Sequence, residues 1–215
     1  MDDVFAAVPE QELRAVGRRR TFARDEVVFH RDDPGDSLHR VERGRFAARI
    51  MTPVGDTATV SLHGQGDVLG LLAVIGAAPR RTATVVALES AETLAIPASA
   101  FNRLRATHPQ IRDAVDRLLV SQLAETSNRL VEALYLPASA RVRVRLADLA
   151  RMYGNPAAGD VVIPLNQEHL AGLAGTSRET VNRALKQEQE RGTVELSRNR
   201  IVVTPRFSPP RRATS

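Results

Sequence analysis

The sequence predicts an α+β protein in three successive parts: a β-rich barrel or jelly roll, one long helix, and a small domain of short helices and a hairpin. Three observations predict this class. From residue 20 to residue 97, short runs of strand-forming residues are broken by turn residues at nearly even spacing. A run of roughly 28 residues then has apolar side chains at helical spacing. The last part contains helical patterns followed by two alternating strand patterns.

Composition narrows the class of protein. The chain has 215 residues, enough for two small domains, and a formal net charge of +5. This charge, with a pI of about 10.7, favours an anionic partner. The absence of cysteine excludes disulfides and cysteine-held iron–sulfur clusters. No signal-peptide pattern opens the chain and no apolar run reaches the roughly 20 residues of a membrane span, so we expect a cytoplasmic protein with no membrane partner.

The N-terminal part is predicted as strands from runs rich in β-branched residues, separated by turn-forming residues. We interpret Gly64, Gly66 and Gly70 as part of a turn between strands, because their spacing is one residue longer than the dinucleotide-binding fingerprint. The histidines have no zinc-site spacing and no nucleophile motif occurs, so we predict no metal site, no catalytic residue and no enzyme activity. The predicted strand runs are EVVF, HRVERGRFAARI, TATVSL and TATVVAL.

The run from Thr107 to Leu136 predicts the long helix. Pro109 suits the first turn, and Thr107 followed three residues later by Gln110 can cap the start. The apolar stripe is too wide to pack against one small barrel alone, so we expect the same helix of a second subunit to cover the rest. Pro137 ends the helix and marks a boundary. The stripe consists of Ile111, Val115, Leu118, Leu119, Leu123, Thr126, Leu130 and Leu134.

The C-terminal part begins with ARVRVRLADLARMY, which alternates like a strand but also fits a longer helical face, and we interpret it as a helix. A short helix follows Asn166 and ends at a tight turn at Gly175. Thr176 and Glu179 have the S/T-x-x-E capping spacing, so a second helix should begin at Thr176 or Ser177. The run TVELSRNRIVV predicts a hairpin. Helix, tight turn, helix and hairpin together form a winged helix-turn-helix.

The second of these helices has one apolar face and one face of hydrogen-bonding side chains. At about 100° per residue, Arg178, Glu179 and Arg183 fall within an arc of roughly 140° that excludes Val181 and Leu185, with Arg178 at its edge. In a helix-turn-helix this face enters the major groove, where arginine pairs with guanine and a carboxylate accepts from cytosine. The residues expected to contact bases or phosphates are Gln167, Ser177, Arg178, Glu179, Thr180, Asn182, Arg183 and Lys186.

Basic residues surround this helix and the predicted hairpin, as a protein that binds duplex DNA requires. One alternative stays open for the segment alone: an ordinary amphipathic surface helix in which Glu179 only closes its own cap. The basic residues are Arg178, Arg183, Lys186, Arg191, Arg198 and Arg200.

The segment NQEHLAGLAGTSRETVNRALKQEQERG resembles the helix-turn-helix of the cyclic-AMP receptor protein/fumarate–nitrate regulator (CRP/FNR) family of bacterial transcription regulators. Upstream, GDVLGLLAVIG, RRTATV and ETSNRL resemble, in the same order, the family's phosphate-binding cassette and dimerisation helix. The resemblance implies a homodimer that binds double-stranded DNA, with RNA polymerase as a further partner, and with Arg178, Glu179 and Arg183 as the base-reading residues. The alternative is a sensory module of the cyclic-nucleotide type that acts through protein partners without reading DNA.

The resemblance also implies the domain architecture: a cyclic-nucleotide-binding-like β-roll, a dimerisation helix and a winged helix-turn-helix. The expected bounds are 1–107 for the effector-sensing β-roll, 108–136 for the dimerisation helix, 137–207 for the winged helix-turn-helix and 208–215 for a disordered basic tail.

The family's cyclic-AMP-binding members imply an effector pocket. By similarity, Arg81 and Thr82 would bind a phosphate, whereas Leu71 stands where the pattern has a glutamate. A leucine cannot accept a hydrogen bond from the ribose 2′-hydroxyl, and an unpaired buried polar group costs roughly 1 to 3 kcal/mol. Three outcomes stay open: weak binding of cyclic AMP, another small anionic effector, or DNA binding with no effector. For Arg81, the alternative is a solvated arginine beside Arg80. The matching positions are Gly70, Leu71, Arg81, Thr82, Thr126 and Ser127.

Overall fold

The computed structural model describes residues 3–53, 55–76, 79–197 and 200–208. The chain forms two compact units, one of Met1–Met51 with Val60–Ala124 and one of Thr52–Thr59 with Glu125–Ser215. Most of the tail expected at 208–215 lies outside the described residues, and so does Arg198 of the expected hairpin. The predicted α+β class is confirmed.

Eight strands among the described residues form two four-stranded sheets that make up the β-roll. Their bounds are β1 (Arg18–Phe22), β2 (Val27–Phe29), β3 (Ser37–Arg43), β4 (Phe46–Met51), β5 (Thr57–His63), β6 (Val68–Leu69), β7 (Thr84–Ala87) and β8 (Ala91–Pro97). One sheet has the order β1-β8-β3-β6 and the other β2-β7-β4-β5. All four predicted strand runs are confirmed, and HRVERGRFAARI spans both β3 and β4. Gly64 and Gly66 lie in a turn before β6, as predicted, whereas Gly70 follows β6 and directly precedes a short helix, so its expected place in the same turn between strands is wrong.

Helices cover one side of the β-roll with an apolar core of their own. They are α1 (Glu10–Val16), α2 (Leu71–Ile75), α3 (Ala98–Thr107) and the beginning of α4 (Pro109–Tyr135). Phe5 and Phe101 meet edge to face in this core, with ring centroids 6.0 Å apart. Ile111 and Val115 of α4 are buried in the same cluster.

The long helix α4 has 27 residues, as the periodicity predicts, but its expected cap is wrong. Thr107 is the last residue of α3, and its hydroxyl donates to the carbonyl of Arg103 at 3.1 Å. The chain is extended at His108, so Pro109 begins α4 without a cap from Thr107. Further along α4, Leu130 and Leu134 are 60% and 67% exposed.

The second unit contains the winged helix-turn-helix. Its elements are α5 (Ala138–Tyr153), β9 (Val161–Ile163), α6 (Gln167–Ala174), α7 (Arg178–Glu190), β10 (Val194–Ser197) and β11 (Arg200–Val203). The helical interpretation of ARVRVRLADLARMY is confirmed, as is the hairpin. The strand β9 was not predicted; it pairs with β11 and completes a sheet of order β10-β11-β9. Within the described residues, no helix has both the length and the apolar character needed to cross a membrane.

Candidate nucleic-acid interface and effector site

The helix-turn-helix is built on two side-chain caps and one glycine. The Asn166 side chain accepts from the amide of His169 at 2.9 Å and so begins α6. Gly175 ends α6 with φ of 58°, a left-handed conformation that favours glycine. Ser177 then caps α7 by accepting from the amide of Thr180 at 3.3 Å. The predicted start is therefore confirmed at Ser177, whereas the cap expected at Thr176 is wrong.

The two faces of α7 separate as its periodicity predicts. Val181 and Leu185 have no exposed surface and hold the helix on the domain. On the other side, Arg178, Glu179 and Arg183 are exposed. The structure therefore brings the three expected base-reading residues together on one accessible face. Of the other expected contact residues, Ser177 and Lys186 are exposed, and Gln167, Thr180 and Asn182 are partly buried.

A cavity of about 250 Å³ opens where the start of α6 and the start of α7 meet the hairpin. Two of its lining residues, Arg178 and Arg200, are cationic, whereas Glu168 is anionic. Gln167 contributes to the lining from the first turn of α6, where main-chain amides have no partner within the helix. These groups can accommodate a phosphate. Among the described residues, the cavity is lined by Leu165, Asn166, Gln167, Glu168, Arg178, Leu196, Ser197, Arg200 and Ile201.

A buried carboxylate that sequence reasoning missed anchors the C-terminal end of α7. Glu188 is 2% exposed, and its Oε1 lies 3.0 Å from Nε of Arg143 on α5 and 2.7 Å from Nη1 of Arg191. Its Oε2 accepts from the hydroxyl of Thr193 at 2.8 Å. Glu188 therefore ties α7 both to α5 and to the beginning of the hairpin. The signal was available, because Glu188 stands seven residues after Val181 on the apolar stripe.

In the β-roll, the cation expected to bind an effector phosphate is buried against protein acceptors. Arg81 is 3% exposed, its Nη1 donates to the carbonyl of Ser37 at 2.6 Å, and its Nη2 lies 3.4 Å from Oδ1 of Asp36. The guanidinium carbon stacks 4.1 Å from the ring centroid of Phe29. Burial lowers the pKa of Arg81 below its usual value, against the opposing effect of Asp36. The alternative of a solvated arginine beside Arg80 is therefore wrong.

The other expected effector residues have unequal surroundings. Gly70 has φ of 77°, a conformation that favours glycine, and a Cβ there would force Nη1 of Arg81 to shift. Leu71 is 5% exposed and belongs to the apolar core beside α3. Thr82 is exposed. Thr126 and Ser127 are exposed residues of α4 in the second unit.

A buried histidine lies near Arg81 inside the β-roll. His39 is hydrogen-bonded to the hydroxyl of Thr93 at 3.0 Å and contacts the rings of Phe22 and Phe29. Burial, together with the charge of Arg81, lowers the pKa of His39 from 6.5 to about 4. The imidazole is therefore neutral at pH 7. Among the described residues, no group of three His, Asp or Glu side chains is placed to hold a metal ion.

Two family descriptions match this chain, one for each part of the fold. Residues 19–108 match the cyclic nucleotide-binding domain, and residues 128–206 match the Crp-like helix-turn-helix domain. The matches thus cover the strands of the β-roll, the C-terminal end of α4 and the winged helix-turn-helix.

Curated relatives align with most of the chain. The CRP-like cAMP-activated global transcriptional regulator of Mycobacterium tuberculosis is 28% identical over 206 residues, which cover 94% of this chain and 92% of the relative. The cyclic AMP receptor protein of Thermus thermophilus is 29% identical over 186 residues, which cover 86% of this chain and 83% of the relative.

A solved structure supports the fold independently. The c-di-GMP-responsive global regulator CLP of Xanthomonas campestris has a TM-score of 0.77 at 21% identity, covering 90% of this chain and 97% of that chain. The relatives and the matched domains are those of transcription regulators, not of enzymes. The chain is therefore a member of the CRP/FNR family of bacterial transcription regulators, with a cyclic nucleotide-binding domain followed by a helix-turn-helix DNA-binding domain.

Proposed function

We propose that the protein is a homodimeric, sequence-specific regulator that reads its operator with the exposed face of α7. The observation that carries this proposal is the arrangement of Arg178, Glu179 and Arg183 on one accessible face of a helix whose other face is buried. Forked guanidinium donors pair with guanine O6 and N7, and the carboxylate accepts from cytosine N4. The buried ion pairs of Glu188 support the proposal, because they hold α7 rigid while its outer face remains accessible.

The cavity beside the hairpin is proposed to hold a backbone phosphate. Arg200 supplies charge from the hairpin, and the first-turn amides of α6 that have no acceptor within the helix supply donors near Gln167. Such contacts set the register of the protein on DNA without reading its sequence. Binding that depends on them weakens steeply with added salt, because condensed counterions are released.

The proposed dimer interface is the exposed apolar face of α4. Val120, Leu130 and Leu134 are 69%, 60% and 67% exposed, whereas Ile111 and Val115 near the start of the helix are buried within the first unit. A second copy of α4 would remove the exposed side chains from water. RNA polymerase is a further proposed partner, on the ground of family membership alone.

For the effector, we propose that the β-roll does not act as a cyclic-AMP switch and that DNA binding requires no cyclic nucleotide. Leu71 offers no acceptor for the ribose hydroxyl and is part of the apolar core. Arg81 already binds Ser37 and Asp36, so a phosphate would have to displace existing hydrogen bonds. Among the competing outcomes, weak use of cyclic AMP is supported by the cyclic nucleotide-binding domain match, and the Mycobacterium tuberculosis relative is named as cAMP-activated.

The test begins with selection of duplexes from a randomised pool by the full-length protein. We expect a two-fold symmetric site with half-sites about one helical turn apart. The binding constant should fall steeply as the salt concentration rises from about 50 to 200 mM, as it does for other proteins that contact several phosphates. Binding should then change by less than about threefold when cyclic AMP is added, since a coupled effector usually changes affinity about fivefold or more. Enrichment of no duplex would favour the sensory module that acts through protein partners, and a larger effect of cyclic AMP would reject the effector proposal.

A further inference from the structure

Arg141, in the first turn of α5, binds three main-chain carbonyl oxygens that belong to two separate segments. Its Nη1 donates to the carbonyl of Leu136, directly after α4, at 2.9 Å. Its Nε donates to the carbonyl of Ala174 and its Nη2 to the carbonyl of Gly175, both at 3.0 Å. Ala174 is the last residue of α6, and Gly175 is the left-handed residue that turns the chain towards α7. One guanidinium therefore joins the end of α4 to the turn of the helix-turn-helix.

The chemistry of these acceptors makes the contact specific for arginine. The last carbonyls of a helix have no partner within the helix and carry the negative end of its dipole. A guanidinium always carries its charge and presents its donors in one rigid plane. Three bonds from one planar group fix both the position and the orientation of the turn. A lysine would retain the charge and three N–H donors, but these diverge from one nitrogen at the end of a flexible stem and do not reproduce the planar fork.

A buried ion pair fixes α5 to α4 on the other side of the same junction. Arg145 of α5 is 4% exposed and pairs with Glu132 of α4, which is 7% exposed. Nη1 of Arg145 also lies 2.8 Å from Oδ2 of Asp148. The end of α4 and the start of α5 thus form one frame, and Arg141 extends that frame to the turn before α7.

We propose that Arg141 is a positioning residue that sets where α7 starts relative to the dimerisation helix, and thereby sets the spacing between half-sites that the dimer accepts. The inference rests on the proposed function, because only a dimer paired through α4 converts this junction into a distance between two copies of α7. Adding one base pair between half-sites moves them apart by about 3.4 Å and rotates one by roughly 35°. A rigid junction rejects such a site, and a loosened junction tolerates it.

The experiment uses the full chain and the duplex selected by the wild-type protein. Binding is measured by fluorescence anisotropy to that duplex, to duplexes with one base pair added or removed between half-sites, and to one with a mismatched base pair inside a half-site. We expect the affinity of the wild type to fall about tenfold or more on the duplexes with altered spacing, and the affinity of Arg141→Met to fall less than about threefold. The penalty for the mismatched base pair, about 1 to 3 kcal/mol in general, should be the same for both proteins within about twofold in affinity.

The matched control is Arg151→Met on the same helix. Arg151 is exposed and pairs only with its neighbour Asp148 among the contacts of the described residues, so this variant removes one surface arginine without touching the turn. It should keep the spacing preference of the wild type. Arg141→Lys should resemble Arg141→Met, because the ammonium lacks the rigid planar fork that matches the three carbonyls, and it replaces the methionine variant if that one does not fold.

Each outcome separates the inference from the function on which it rests. If both Arg141 variants keep a spacing preference within about twofold of that of the wild type, the inference is overturned, whereas the proposed reading of DNA by α7 still stands. The inference is also overturned if the Arg141 variants lose the spacing preference and the preference for the matched base pair together, since a domain that is only damaged loses both. If the wild type selects no duplex, the proposed function fails together with the inference.

Discussion

Arg81 in the β-roll and Arg183 on α7 both belong to segments that resemble family motifs, yet they lie in opposite environments. Arg81 is 3% exposed and is held by Ser37, Asp36 and the ring of Phe29. Arg183 is exposed on a helix whose opposite face is fully buried. Two arginines that look equally ready for an anion thus differ in availability: the first already stabilises the fold, and the second remains accessible to a partner.

The largest expected effect tests the structural role of Arg81. Arg81→Ala should lower the free energy of unfolding by about 3 kcal/mol, because it leaves a cavity beside Phe29 and an unpaired carbonyl at Ser37. Urea denaturation measures this change. The exposed neighbour variant Arg80→Ala should stay within about 0.5 kcal/mol of the wild type. Equal stability of the two variants would show that Arg81 does not stabilise the fold.

The next largest expected effect concerns Glu188, the buried carboxylate that anchors the C-terminal end of α7. Glu188→Ala should lower the free energy of unfolding by about 2 to 3 kcal/mol, because Arg143 loses its ion-pair partner and the hydroxyl of Thr193 loses an acceptor. Glu188→Leu should recover part of the loss, since an apolar side chain continues the stripe of Val181 and Leu185. Denaturation of both variants checks this order, and a leucine variant less stable than the alanine variant contradicts the account.

The buried His39 predicts a dependence of stability on pH. Its pKa is about 4 in the folded protein and 6.5 as the ordinary value, so the unfolded chain takes up a proton that the folded chain rejects. The stabilising contribution of neutral His39 is therefore fully present above pH 6.5 and is lost as the pH falls from 6.5 towards 4. By pH 5 the free energy of unfolding should have fallen by about 2 kcal/mol. His39→Asn removes this titration. Thermal denaturation of both proteins between pH 7 and 5 compares them, and parallel curves would disprove the assignment.

The smallest of these effects tests Arg183 directly. Arg183→Ala should relax base preference at one position in each half-site by about 1 to 2 kcal/mol while leaving the stability of the protein unchanged. Binding to duplexes with substitutions at each position measures the preference. Gln187→Ala, an exposed change outside the expected contact set, is the matched control. Unchanged selectivity in Arg183→Ala would remove this residue from the proposed reading face.

Sequence patterns predicted the elements whose local signals agree with their tertiary environment. The start of α6 after Asn166, the turn at Gly175 and the two faces of α7 were all predicted from capping and periodicity. The strand β1 was missed because four of its five residues are exposed, so no alternation marks it. The helix α2 was missed because five residues inside an apolar run are too short to show a helical period.

The roles of single side chains were harder to predict because they depend on distant partners. The departure at Leu71 was visible in the sequence, but the burial of Arg81 depends on Ser37 and Phe29, more than forty positions earlier in the chain. The alternation of Arg141 and Arg145 suggested only a choice between strand and helix. In the helix these residues bind different partners, the carbonyls around the turn and the carboxylate of Glu132, and no local pattern encodes those partners.

Gly70 has a consequence for how sensory domains are recognised in genomes. Its left-handed backbone favours glycine, and a side chain there would displace the guanidinium packed against it, whatever the domain binds. A lineage that abandoned its original signal molecule would therefore keep this glycine for architectural reasons. A survey that counts this glycine as a mark of nucleotide responsiveness therefore counts a backbone requirement, and the residue that follows it, leucine in this chain, is the more informative position.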